Sequence, residues 1–144
     1  MERCQGTYQG DLHCQIAHPA SGKTVETDSP KSRQGRGMAF SPTDLTSASL
    51  GASMVTAMAL AAKTLLGFDI RGVRWEVVKE MSADTPRRIA RLTTQIWLPI
   101  LRSKDPQGVL ERAALGCPVY HSLHPSIDRP VVFHWQELPK PMAR

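Results

Sequence analysis

The sequence predicts an α+β fold, and three observations predict it. First, the stretch from Ser41 to Gly67 reads as one long helix, with no charged residue between Leu45 and Ala62. Second, runs such as Val73, Trp75 and Val77, or Leu92, Thr94, Ile96 and Leu98, alternate with polar neighbours, the period of a half-buried strand. Third, these signals come as three strands, a helix, two strands, a helix pair and one strand, the arrangement of helices laid against antiparallel sheet.

The chain has 144 residues, the size of one domain with a single core. Residues 1–28 hold the first strands. Residues 3–9 and 11–17 read as a hairpin around Gly10-Asp11, and Lys23 to Thr27 as a third strand. Residues 29–40 form a loop. Its SPKSRQGRG run is polar and glycine-rich, and Gly35-x-Gly37 alone makes no phosphate cradle.

Residues 41–67 form the central helix. Ser41 is its expected N-cap, Pro42 suits the first helical position, and Asp44 complements the positive end of the helix dipole. Gly67 supplies the stop. Leu45, Leu50, Met54, Val55, Met58 and Leu60 ring the axis instead of forming one stripe, as in a helix buried on every side. The hydroxyl residues Thr46, Ser47, Ser49, Ser53 and Thr56 within it, and its missing flanking anchors, argue against a membrane span.

Residues 68–138 carry the remainder. One strand runs to Met81, Ser82 to Pro86 turn, and a second strand ends at Pro99. Asp105 and Pro106 are expected to start a helix whose face is Leu110, Ala113, Ala114 and Cys117. Gly116 and Pro118 interrupt it, and a short helix continues to Leu123. Val131 to Trp135 is the last strand, and residues 139–144 are a loose tail. A chain of this size supplies little cover for a helix apolar all round, and an intertwined homodimer answers that need.

Net charge is +5, but the basic residues are scattered and no aromatic-and-basic module of a nucleic-acid reader is present, so nucleic acid is not expected as a partner. The opening Met1-Glu2-Arg3-Cys4 leads straight into polar sequence, and three cysteines are an odd count. Reduced thiols in a cytoplasm are the expectation. Cys117, His121 and His124 share a helical face at i, i+4 and i+7, but Pro125 ends that helix and no fourth ligand is spaced to complete a zinc site. No metal and no cofactor are expected.

Three segments together resemble the OsmC-like family, which includes the organic hydroperoxide resistance proteins. They are Phe40-Ser41-Pro42-Thr43-Asp44-Leu45 leading to Leu50-Gly51-Ala52-Ser53-Met54, then Pro86-Arg87-Arg88-Ile89, then Leu110 to Val119 with its Gly116-Cys117-Pro118, followed by Ser122-Leu123-His124-Pro125 and Phe133-His134-Trp135. The resemblance implies an intertwined dimer with long central helices wrapped by antiparallel sheets. It also implies reduction of organic hydroperoxides by two cysteines in an apolar pocket at the dimer interface, with a dithiol or lipoyl reductant. The second cysteine matches Cys117. At the place of the first, peroxide-attacking cysteine stands Ser53.

A thiolate takes up a peroxide oxygen to become a sulfenic acid, whereas a serine hydroxyl stays protonated and has no comparable oxidised state. The family's acidic partner follows the helix-starting proline, where this chain has Thr43, with Asp44 one residue later. The family's arginine is not located by motif; Arg33 and Arg36 are candidates. Cys117 is thus the candidate catalytic residue, with Ser53 at the first cysteine's position and Thr43, Asp44, Met54 and Met58 as pocket residues. From the residues alone, Cys117 reads equally as a reactive thiol or as an inert buried one. Ser53 reads as a small hydroxyl bonded to the backbone one turn back. Two functions follow: a hydroperoxide reductase with a degenerate site and weak or no activity, or a dimeric binder of a small hydrophobic ligand.

Overall fold

The computed structural model describes residues 3–136, and the expected tail from Pro139 lies outside them. The chain divides into two compact units, Met1–Thr46 and Ser47–Arg144.

The first unit is an antiparallel sheet of β1 (Gln5–Gly10), β2 (His13–His18) and β3 (Lys23–Asp28) in that order. Gly10 pairs with His13, so the turn residues of the hairpin are Asp11 and Leu12, both left-handed at φ 49 and 63. Two consecutive positive φ values match the twist of the flanking strands, which is why tight hairpins adopt them. The turn therefore sits one residue later than the Gly10-Asp11 dipeptide suggests. From β3 the loop returns through a short 3-10 turn, Lys31–Arg33, and the Asp28 N–H donates to the Phe40 carbonyl at 2.9 Å.

Helix α1 (Pro42–Ala61) begins in this unit and continues into the second. Its start is a reciprocal capping box. The Asp44 N–H donates to Ser41 Oγ at 3.2 Å, and the Ser41 N–H donates to Asp44 Oδ2 at 2.8 Å, so each satisfies a backbone donor the helix leaves unpaired. A π-helical turn, Ala62–Leu66, follows, and Gly67 closes it at φ 77 with its N–H on the Ala62 carbonyl. Pro42–Leu66 is long and apolar enough to cross a membrane by length and composition, with mean hydropathy 1.4 and a third of that window buried.

The second unit holds the core. β4 (Arg74–Met81) and β5 (Ile89–Leu101) pair antiparallel, as their short connection requires. β5 does not end at Pro99. It runs on to Leu101 because its pairing with β4 finishes at Trp97, and its register with β6 shifts between Leu98 and Leu101, so a residue without an N–H is tolerated there. β6 (Val131–Gln136) lies parallel to β5, so this second sheet, in the order β4-β5-β6, is mixed and not purely antiparallel. The helix pair α2 (Val109–Leu115) and α3 (Pro118–Ser122) forms the crossover that a parallel neighbour demands.

Alternate residues of β5, Leu92, Ile96 and Leu98, meet Leu50, Met54, Met58 and Ala62 of α1 and its π turn, and Leu110, Ala114 and Cys117 of the helix pair, in one buried cluster. Gly51 lets the Trp75 ring lie on α1: a Cβ built there would stand 2.2 Å from the indole.

Candidate functional site

Cys117 lies beyond the end of α2, not on its face as expected, and is the N-cap of α3. Pro118 occupies the first helical position, and the Tyr120 N–H donates to Cys117 Sγ at 3.4 Å. The thiol is 1% exposed and belongs to the same buried cluster as Met54 and Met58. The structure therefore brings three of the expected site residues, Cys117, Met54 and Met58, into one core. Ser53 lies next to Met54 on α1 and is half-buried. The bond from hydroxyl to backbone one turn back is made in this helix by Thr46 to Pro42, at 3.3 Å, and after it by Thr64 to Leu60, at 2.8 Å; among the described residues, Ser53 makes no such bond.

Thr43 and Asp44 sit at the other end of α1. Thr43 Oγ1 is 3.1 Å from Ser41 Oγ, and the Asp44 carboxylate closes the capping box. Of the candidate arginines, Arg33 offers its carbonyl to Ser29 Oγ at 3.1 Å. Arg36 lies beside Asp28, whose side chain is 1% exposed. The Met38 N–H on Asp28 Oδ2, 3.1 Å away, holds that carboxyl below the usual carboxylate range, with smaller help from Arg36 and His13 and against the opposing cost of burial.

Asp105 and Pro106 do not begin α2. The helix starts three residues later at Val109, with Gly108 as N-cap, because Asp105 acts from outside. Its buried carboxylate accepts the Val109 N–H at 2.8 Å and the Leu110 N–H at 2.9 Å. That caps the first turn of α2 from outside the helix.

The side chains missed by sequence reasoning are Tyr120 and Arg129. The Arg129 guanidinium lies 4.4 Å from the Tyr120 ring, and its Nη1–H donates to the Tyr120 carbonyl. A tertiary contact of this kind leaves no motif in the sequence. His121 meets the Tyr120 ring edge-on at 5.7 Å, and His124 Nδ1 is 2.7 Å from Ser126 Oγ. Among the described residues, no group of three histidine, cysteine or acidic side chains is placed to hold a metal.

Two clefts have linings that do not include Cys117. One, of about 420 Å³, is lined by Tyr8, Cys14, Ile16, Thr27, Pro42 and Leu45. The other, of about 590 Å³, is lined by Thr56, Ala59, Leu60, Lys63, Phe68 and Asp69 among others. All three cysteines are free thiols: Cys4 exposed, Cys14 half-buried, Cys117 buried.

A search of curated proteins gives no match. Solved structures do match. A protein of Psychrobacter arcticus assigned to the osmotic-stress-induced and detoxification response is 38% identical, with a TM-score of 0.85, covering 93% of this chain and 96% of its own. Two organic hydroperoxide resistance proteins share the fold at 14% identity. The one from Legionella pneumophila has a TM-score of 0.73 and coverage of 93% and 96%, and the one from Elizabethkingia anophelis 0.75 with 94% and 96%. The family model described as OsmC-like protein matches residues 35–129, from the loop before α1 to Arg129. The protein belongs to the OsmC-like family.

Proposed function

We propose that this protein serves stress defence as a thiol-dependent organic hydroperoxide reductase of degenerate type, with Cys117 as its working thiol and weak or no turnover. The observation that carries the reading is Cys117 itself, a buried thiol capping α3 with the Tyr120 amide on its sulfur. An osmotic-stress and detoxification assignment for the relative at 38% identity supports the same direction.

The chemistry gives the reason to expect a weak rate. Cys117, as thiolate, attacks the terminal oxygen of R–OOH; the S–O bond forms, the O–O bond breaks, and the alcohol leaves with a proton. The sulfenic acid then needs a second thiol. Ser53 has none to give, so an external dithiol must form the mixed disulfide, release water, and resolve it by its own second sulfur. Purified protein with cumene hydroperoxide and dithiothreitol or a lipoyl reductant is expected to turn over far more slowly than a two-cysteine relative. Robust turnover that survives Cys117→Ala overturns the role of Cys117, and robust turnover that Cys117→Ala abolishes overturns the degenerate site.

The working form in this proposal is a homodimer in a cytoplasm. Supporting it, Leu60 is 64% and Leu65 71% exposed, on a helix whose span from Leu45 to Ala62 carries no charge. Exposed apolar surface of this kind marks an association face. A monomer by light scattering at micromolar concentration overturns it.

A second reading, binding of a small hydrophobic ligand without catalysis, is favoured by the cleft of about 590 Å³ that Ala59, Leu60 and Phe68 line. Quenching of a bound apolar fluorophore by added long-chain alcohol, with no peroxide turnover, is its signature.

A further inference from the structure

We infer that Arg129 is a positioning residue for Cys117, acting through Tyr120. Three observations carry the inference. The Tyr120 N–H donates to the Cys117 sulfur at 3.4 Å. The same residue's carbonyl accepts from Arg129 Nη1, and the same residue's ring lies under the Arg129 guanidinium at 4.4 Å. Arg129 therefore grips Tyr120 at two points, and Tyr120 in turn holds the sulfur.

The grip is needed because α3 is only five residues long. A helix this short has almost no hydrogen bonds of its own and frays readily. The bonds at its two ends tie it to its own caps: the His121 N–H reaches the carbonyl of the N-cap Cys117 at 3.3 Å, and the N–H of the C-cap Leu123 reaches the Val119 carbonyl at 3.2 Å. The Tyr120 carbonyl is one of the acceptors that such a helix leaves without a partner inside it. Arg129 supplies the donor from the segment that leads into β6. Its planar fork is suited to this double task, because a guanidinium can lie flat on a ring while one N–H points elsewhere, whereas an ammonium is a compact point charge. Asp128, the neighbouring acid, is paired with Arg91 at 2.7 Å.

The inference rests on Cys117 being the working thiol, but its test needs no turnover. In the full chain with Cys4→Ser and Cys14→Ser, Cys117 is the single thiol, and its S–H stretching band reports the hydrogen bond from Tyr120. Arg129→Ala is expected to shift that band toward the position of a thiol without a donor. It is also expected to speed exchange of the Tyr120 amide roughly tenfold, while amides of β4 and β5 hold their protection. Arg129→Lys is expected to restore neither.

A folded Arg129→Ala protein with an unmoved band and unmoved Tyr120 exchange overturns the inference. So does full rescue by lysine, which would reduce the role to charge alone. Should Arg129→Ala fail to fold, Tyr120→Leu decides: it keeps the amide and the carbonyl and removes the ring, and it must move the band the same way or the grip is refuted. A protein without any peroxidase activity but with the expected band shift leaves this inference standing and counts only against the proposed function.

Discussion

Two helix starts in this chain are built alike and finished differently. At α1 the order is Ser41-Pro42-Thr43-Asp44; at α3 it is Cys117-Pro118-Val119-Tyr120. In each, a side chain accepts the N–H three residues on, at 3.2 Å for Ser41 and 3.4 Å for Cys117, and a proline takes the first helical position. At α1 the third residue is an acid that returns the bond to the Ser41 N–H. At α3 it is a tyrosine, because the Cys117 N–H is already spent on the Ala114 carbonyl at 3.2 Å. The α3 start is free to use sulfur as its acceptor and to recruit Arg129. An oxygen cap in a closed box serves the helix. A sulfur cap in an open one keeps a thiol in place.

Ser53→Cys tests the proposed degenerate site most severely, since it adds a second thiol to the unit that holds Cys117. Turnover of cumene hydroperoxide with a dithiol is expected to rise by roughly two orders of magnitude, the scale on which one reacting group alters a rate. No gain places a further defect at Thr43 or at the arginine.

Next in size is the oxygen cap. Ser41→Ala is expected to cost about 1 kcal/mol in urea unfolding, with Asp44→Ala less than additive to it, because the two close one box. An additive double variant breaks the idea that the box acts as a unit.

Sulfur should matter no more to the fold. Cys117→Ser, which keeps an acceptor, is expected to stay within about 0.5 kcal/mol of the parent, and Cys117→Val to lose about 1 kcal/mol by leaving the Tyr120 amide unpaired. Equal losses for serine and valine would mean that packing, and not capping, sets the cost.

The smallest effect concerns the loop before α1. The Asp28 carboxyl is held below its ordinary range chiefly by the Met38 N–H. A depressed folded-state value adds stability that is present above the unfolded-state pKa and is lost as pH falls through the folded one. Acid should therefore loosen residues 29–40 only at low pH, and Asp28→Asn should remove that pH dependence, read by amide exchange at Met38. Unchanged acid sensitivity in the variant rules the Asp28 clamp out.

Local chemistry was legible in the sequence. Ser41, Pro42, Asp44 and Gly67 mark both ends of the central helix, and Cys117-Pro118 marks the start of α3, because caps act within one turn. The misplacements arise where a contact reaches further. Asp105 looks like a helix start, but its carboxylate extends to Val109 and Leu110. Pro99 looks like a strand end, and whether it is one depends on a neighbour's register. The parallel placement of β6 is set across the crossover, and alternation in Val131 to Trp135 carries no direction. Arg129 on Tyr120 is closed by the fold and is invisible at nine residues' separation. Around Cys117 the cap was legible in Cys117-Pro118, and the contact of Arg129 with Tyr120 was not.

The indole of Trp75, seated where Gly51 has no side chain, has an optical use. Its emission senses the backbone of α1 two residues before Ser53. With Trp97 and Trp135 replaced by phenylalanine, the protein would carry its own fluorescent gauge. Titrating in a hydroperoxide, a fatty alcohol or a dithiol would then show which of them disturbs the helix, with no label attached.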